Sequence, residues 1–414
     1  MRSSSNLNLL AFVAASFVVA CTPGNENSVT GGSAPAGGAN AGGSSSGGAN
    51  QGGQEMPGGS TGTFDPTGGG TTQPGCDAQP NQDKDEDGFT INDGDCNDCD
   101  ANVNPGAIEV IGNASGGDGG GGTGGAGTGG AGGAEYVPAD EDCDGEADNV
   151  AAPDCDAGLQ LASTDPLDAA KAIELCKVAE GDTDWGVLDA QFVNANGGTV
   201  AANVQVGILA SFGTNVPPQQ GASLLALSSG TARLPGQPGA CTSNSCGAQT
   251  ATLAPPGFPQ AAPNCPIDSE IFNDIGLEVT LRAPTNATGY TFDFKFTSFE
   301  FGEYVCTNFN DQFIALVNPP PMGAQDGNIS FDAAGNPVSV NIAFFDVCNS
   351  CADFAQNCFD NPPMVVCPTA PAGCCSAGGA QLVGTGFDNG FGATFPEDAG
   401  GTSWLRTAAP VEGG

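Results

Sequence analysis

Histidine is wholly absent from the 414 residues. Without imidazole the chain has no Ser-His-Asp or Cys-His nucleophile system, no HExxH zinc site and no imidazole proton shuttle. Basic side chains are nearly as scarce: 8 Lys and Arg stand against 47 Asp and Glu, a formal net charge of −39. Such a chain repels phosphate backbones, which excludes nucleic acid as a partner and leaves divalent cations as the natural counterions. Large side chains are almost missing from residues 22–75, which are Gly, Ser, Ala, Asn and Thr, so this stretch cannot bury a core. The N-terminal run Leu9 to Ala20 is twelve residues long. That is too short to span a bilayer and right for a signal-peptide core, with Arg2 as its minimal positive region.

What the chain does contain is cysteine. Seventeen of them in an acidic, Gly/Pro-rich sequence point to an oxidising compartment. The apolar run ends Val18-Val19-Ala20-Cys21, which resembles a bacterial lipobox with Val18 where leucine is usual. The resemblance implies cleavage after residue 20, a lipid on Cys21 that tethers the chain to a membrane, and 16 cysteines left to pair. Thr22 rather than Asp after the cysteine implies sorting to the outer membrane or cell surface. Ordinary signal cleavage after Ala20 fits the same small residues. On this basis residues 1–20 are a signal peptide and 21–75 a flexible tether, with an r.m.s. span of roughly 40 Å.

Residues 76–149 form an acidic module, interrupted by a glycine tract at 115–134. Asp83-Lys84-Asp85-Glu86-Asp87-Gly88 is a DxDxDG run. Alternate carboxylates there converge on one hard cation, and Gly88 permits the sharp turn that lets them do so. The twelfth loop position is Gly94, so this is not a standard EF-hand; Asp93, Asp95, Asp98 and Asp100 are the candidates for the missing oxygens. An all-oxygen set selects Ca²⁺ over zinc or copper. The stretch through Asp95-Cys96-Asn97-Asp98-Cys99-Asp100 and Pro105-Gly106-Ala107 resembles the metal-binding motif repeat of bacterial surface proteins. It is also similar to the calcium loops of thrombospondin type 3 repeats. The closing segment of that motif reappears as Asp142-Cys143-Asp144-Gly145, then Asp148. Ile111 stands where the family has a cysteine, which leaves the pairing of Cys99 open.

Residues 155–414 carry strand signals. Leu277, Val279 and Leu281 alternate with polar residues, as do Tyr290, Phe292, Phe294 and Phe296, and Val338, Val340, Ile342 and Phe344. Each series predicts a half-buried strand. Asp165-Pro166 opens one short helical pattern through Leu167, Ala170, Ile173 and Cys176. The expected fold is mainly β: a disulfide-rich antiparallel β-sandwich with one short helix, following a disordered stalk and a loop-rich module.

The segment Ser298 to Val305 followed by Phe309-Asn310-Asp311-Gln312-Phe313 resembles the choice-of-anchor L domain, with Phe301 for the family's usual Tyr. Asp184-Trp185-Gly186-Val187, Leu227 to Arg233, Ser403-Trp404-Leu405 and Ala409-Pro410-Val411 extend the match to about 60% of the chain. The resemblance implies one or two further strands after Val411, so the β-domain is expected to be C-terminally truncated, unless the cysteine-rich insertion closes the sandwich. It also implies a surface protein of binding or structural role, with an unidentified surface, glycan or matrix ligand. Glu300, Glu303, Asn310 and Asp311 are read as a turn or second cation site rather than as catalytic groups. The alternatives are a carbohydrate- or matrix-binding adhesin and a secreted glycoside hydrolase using Glu300 and Glu303. Cys348, Cys351, Cys358, Cys367, Cys374 and Cys375 are expected as disulfides, with a zinc knuckle as the competing reading. No enzymatic function is expected.

Overall fold

The computed structural model describes residues 6–12 and 15–20 as backbone. It describes 78–109, 140–147 and 155–413 in full, apart from 182, 243–245, 247–250, 268–269, 309, 333–334, 342–344, 361–365, 389–398 and 412, and with 360 as backbone. Cys21, the tether, the glycine tract, Asp148, Phe309, Ile342 and Phe344 lie outside the described residues.

The chain is mainly β, with two antiparallel sheets sharing one hydrophobic core. The first sheet has the order β11-β10-β1-β8-β3. Its strands are β1 (Asn6–Phe12), β3 (Gly186–Val193), β8 (Gly276–Arg282), β10 (Gln312–Asn318) and β11 (Val338–Ser339). The second has the order β12-β13-β9-β2-β5-β4, with β14 also pairing with β9. Its strands are β2 (Ala15–Ala20), β4 (Val206–Leu209), β5 (Leu224–Leu227), β9 (Gly289–Ser298), β12 (Val347–Cys348), β13 (Gly400–Gly401) and β14 (Leu405–Pro410). A separate hairpin pairs β6 (Ala251–Leu253) with β7 (Glu270–Phe272).

Strand periodicity predicts β8 well: Leu277 and Val279 are buried and Glu278 and Thr280 are less so. For β9 the half-buried expectation needs correction. Tyr290, Phe292, Phe294 and Phe296 face the shared core, but Asp293, Lys295 and Thr297 are buried as well. The polar side is covered because Lys295 Nζ donates to Gln381 Oε1 and to the Thr402 carbonyl, both at 2.5 Å, while Arg406 makes a two-pronged pair with Asp293 at 2.7 Å. A buried charge survives only with such partners. The expected strand starting at Val338 is cut to two residues, paired with Gln312 and Phe313.

Among the described residues two short α-helices occur rather than one. In α1 (Pro166–Lys171) the Asp165 carboxylate caps the Leu167 N–H at 2.9 Å and Pro166 occupies the first turn. The second, α2 (Gln356–Asp360), sits in the cysteine-rich insertion. All 15 described cysteines are disulfide-bonded, in pairs that include Cys348–Cys375, Cys351–Cys374 and Cys358–Cys367. The run expected as a signal-peptide core is built here into β1 and β2. Among the described residues no helix is long and apolar enough to cross a membrane.

Candidate metal centre

The acidic module is a loop structure whose backbone is organised by its own carboxylates. Glu86 and Gly88 adopt left-handed φ values of 65° and 105°, which reverse the chain twice within the DxDxDG run. Asp83 Oδ2 accepts from the Gly88 N–H at 3.1 Å, Asp85 Oδ1 from Asp87 at 3.3 Å, and Asp87 Oδ1 from Phe89 at 2.8 Å. The 3₁₀ turn Ile91–Asp93, closed by left-handed Gly94, brings the chain back. Asp95 Oδ1 then accepts from Asn97 at 2.8 Å and Asp98 Oδ1 from Lys84 at 2.9 Å.

Each aspartate thus has one oxygen fixed by a backbone N–H. The second oxygens of Asp83, Asp85, Asp87 and Asp95 are buried and accept no hydrogen bond among the described residues. Asp83, Asp85 and Asp87 place an oxygen each within 4.8 Å of one another, and so do Asp85, Asp95 and Asp98. Asp85 belongs to both sets and joins them into one cluster of five. Asp95 and Asp98 are 3% and 2% exposed, far below what a solvated acidic linker allows. Burial pushes the Asp95 carboxyl up to about 7, with the charges of Asp87, Asp85 and Asp98 adding to the rise. Burial likewise lifts Asp87 to about 6, and Asp85 is raised for the same reason. Carboxylates so placed are disfavoured as anions unless a cation joins them.

Two predicted ligands fall outside this cluster. Asp93 is exposed and accepts from the Thr90 hydroxyl at 2.7 Å, while Asp100 caps Asn102 in a tight turn. Both serve loop geometry. Conversely, Glu109 and Asp140 were not singled out by sequence reasoning, yet Glu109, Asp140 and Asp142 bring oxygens within 4.8 Å of one another. Asp140 was legible: Asp140-Glu141-Asp142-Cys143-Asp144-Gly145 repeats the DxDxDG pattern. It repeats the loop too, with Cys143 and Gly145 left-handed and the Gly145 N–H donating to Asp140 Oδ2 at 3.0 Å. Glu109 was not legible, because only folding brings it to the Asp142 N–H. The Cys96–Cys143 disulfide ties the two loops across the glycine tract.

The module docks on the arch that carries the chain from β8 to β9. Asn286 exchanges two hydrogen bonds with the Ile108 backbone, at 3.1 and 2.9 Å, and the Thr285 N–H donates to Gly106 O at 3.0 Å. Gly106 leaves room for the Phe89 ring, which a Cβ would meet at 3.0 Å.

The second predicted cluster is a half-buried turn. Ser298 Oγ donates to Asp311 Oδ2 at 2.8 Å, and the Asp311 N–H donates to Glu300 Oε2 at 3.3 Å. Asn310 Oδ1 accepts from the Asn341 N–H at 3.1 Å. Glu303 does not join Glu300 and Asp311 in a three-carboxylate group among the described residues. Burial, and then the neighbouring Asp311 charge, push the Glu300 carboxyl up to about 9. A carboxyl raised on folding keeps its proton in the native state after the unfolded chain has lost its own. The stability it contributes is therefore complete below the unfolded value of 4.5 and is lost as pH rises toward 9. Glu300→Gln should remove that slope. Thermal melts from pH 5 to 9 are expected to show the variant gaining on the parent as pH rises, and parallel curves would refute the buried-acid assignment.

Compared with known proteins, the chain matches no family model, no curated protein and no solved structure.

Proposed function

We propose that this chain is an exported surface protein, anchored to the outer membrane or cell surface through lipid on Cys21, in which a Ca²⁺-loaded acidic module braces a β-sandwich of binding or structural role. The observation that carries the reading is the common arrangement of Asp83, Asp85, Asp87 and Asp95. One oxygen of each is held by a backbone N–H and the other is buried with no hydrogen-bond partner among the described residues. Buried acceptors left unsatisfied at this density need an explanation, and a dication supplies it. With Asp98 the set is all oxygen, histidine is absent, and every described cysteine is in a disulfide, so neither imidazole nor a free thiol is on offer among the described residues. Those oxygens, completed by water or backbone carbonyls, suit the six to eight ligands of Ca²⁺. The lipid anchor rests on the apolar run that ends at Cys21 and on the disulfide-rich composition. The β-domain's role as a surface module rests on its resemblance to choice-of-anchor L domains.

In this reading the cation does mechanical work. It orders the loops between the tether and the arch at Pro284–Ala287, so that the sandwich is held at a defined attitude above the membrane. The test has two readouts on protein purified from its own membrane. Calorimetric titration with Ca²⁺ should be saturable and reversed by chelator, and mass spectrometry should find an acylated Cys21 N-terminus. A flat titration retires the metal centre; an unmodified Cys21 retires the anchor.

A further inference from the structure

The cysteine-rich insertion brings two disulfides into contact. Cys348 closes β12 and Cys351 follows shortly after it, while Cys374 and Cys375 are consecutive. The pairs Cys348–Cys375 and Cys351–Cys374 therefore bridge the same two short segments and run side by side. All four sulfurs lie within 4.8 Å of one another, and Cys351 Sγ is 3.0 Å from Cys375 Sγ of the other bridge. That is closer than non-bonded heavy atoms usually pack. Among the described residues no other disulfides meet in such a group.

The two bridges differ in access. Cys348 is 0% exposed and belongs to the shared core, whereas Cys351 and Cys374 are half-buried beside exposed Ser350, Ala352 and Gly373. Cys351–Cys374 is thus the outer bridge and Cys348–Cys375 the inner one. Backbone contacts hold both segments independently of the sulfurs. Val347 and Cys348 pair with Gly401 and Gly400 on β13. The Cys375 N–H donates to the Phe345 carbonyl at 3.4 Å, and the Ala377 N–H to the Asp346 carbonyl at 2.8 Å. Opening the outer bridge leaves Cys351 beside Cys375, at the near-attack distance from which a thiolate displaces a disulfide sulfur.

We propose that this insertion is a thiol–disulfide exchange site that oxidises an external dithiol and relays the reduction inward. A thiolate of the dithiol attacks Cys374 Sγ, forming a mixed disulfide and releasing Cys351 as a thiolate. Cys351 attacks Cys375 Sγ: the Cys351–Cys375 bond forms, the Cys348–Cys375 bond breaks, and Cys348 leaves. The second thiol of the dithiol then attacks its partner sulfur in the mixed disulfide and releases Cys374. The dithiol ends as a disulfide, and its two protons end on Cys348 and Cys374. Two electrons have passed, and the insertion keeps one bridge, Cys351–Cys375. Burial gives the relay its direction, because an apolar site disfavours the Cys348 thiolate that the reverse attack needs. Neither the metal centre nor the lipid anchor enters this chemistry.

The probe is dithiothreitol, added in equimolar amount to the oxidised full chain. At successive times the mixture is acid-quenched, alkylated with a maleimide in denaturant, then fully reduced and alkylated with a second reagent. Fragment mass spectra place each label, including those on the neighbours Cys374 and Cys375. The first label is expected on Cys348 and Cys374, and the second on Cys351 and Cys375. First label on Cys351 and Cys374 would mean that only the outer bridge opens, which overturns the relay. First label confined to other cysteines overturns it too. A double variant, Cys351→Ser with Cys374→Ser, removes the outer bridge and the attacking sulfur together. In that variant, provided it melts like the parent, reduction of Cys348–Cys375 is expected to slow at least roughly tenfold. An unchanged rate would show that the reductant reaches the inner bridge directly, and the relay falls. If the variant does not fold, the labelling of the parent chain decides alone.

Discussion

Replacing Asp95 by alanine is expected to weaken Ca²⁺ binding roughly 100-fold, because carboxylate count tunes such sites over several decades of affinity. Asp95 is the sharpest probe of the centre. It is 3% exposed, one oxygen is fixed by the Asn97 N–H, and the other has no hydrogen-bond partner among the described residues. Its environment also carries the repulsion of Asp87, Asp85 and Asp98, which a cation would relieve. Asp93→Ala is the matched control. That side chain is exposed and engaged with Thr90, so affinity should stay within about twofold, as for a surface change away from the ligands. Calorimetry on the full chain reads both. Equal losses in the two variants would mean that general negative charge attracts the ion; no loss in Asp95→Ala would remove the centre altogether.

Phe294→Ala is expected to cost about 3–5 kcal/mol of stability, lowering the melting temperature by roughly 10 °C in a domain of this size. Phe294 lies on β9 in one sheet and stacks on Phe313 of β10 in the other, with ring centroids 4.0 Å apart. Both rings are fully buried in the shared core. The truncation therefore removes a contact between the layers as well as apolar area, and the close-packed surroundings can collapse only in part. Phe272→Ala, on the peripheral hairpin and 43% exposed, should change stability by no more than about 0.5 kcal/mol. Calorimetric melts of both variants at fixed Ca²⁺ decide the point. A Phe294→Ala shift as small as that of Phe272→Ala would mean that the two sheets do not share this core.

How much of this was legible in advance differs from element to element. The alternation in Leu277, Val279 and Leu281 foretold β8, since a strand buried on one side must alternate. The Asp-Pro start foretold α1, because capping is settled by neighbours in sequence. The same alternation misled at β9. Whether a strand's polar side is covered depends on where Gln381, Thr402 and Arg406 arrive, and no local period records that. The cysteine pairings were beyond reach for the same reason, as spacing alone does not choose partners.

By itself the sequence determined the chemistry available: oxygen ligands without imidazole, cysteines in number, an acidic DxDxDG run, and strands of alternating character. Those properties depend on residue type and on neighbours within a few positions. Only the tertiary structure decided which carboxylates converge, setting Asp93 and Asp100 aside and bringing Glu109 to Asp142. It alone paired Cys96 with Cys143 and placed Asn6–Ala20 between strands far away in the chain. The reason is physical. A ligand set, a disulfide and a sheet position are defined by distances in space, and those follow from how the buried faces of remote segments pack together.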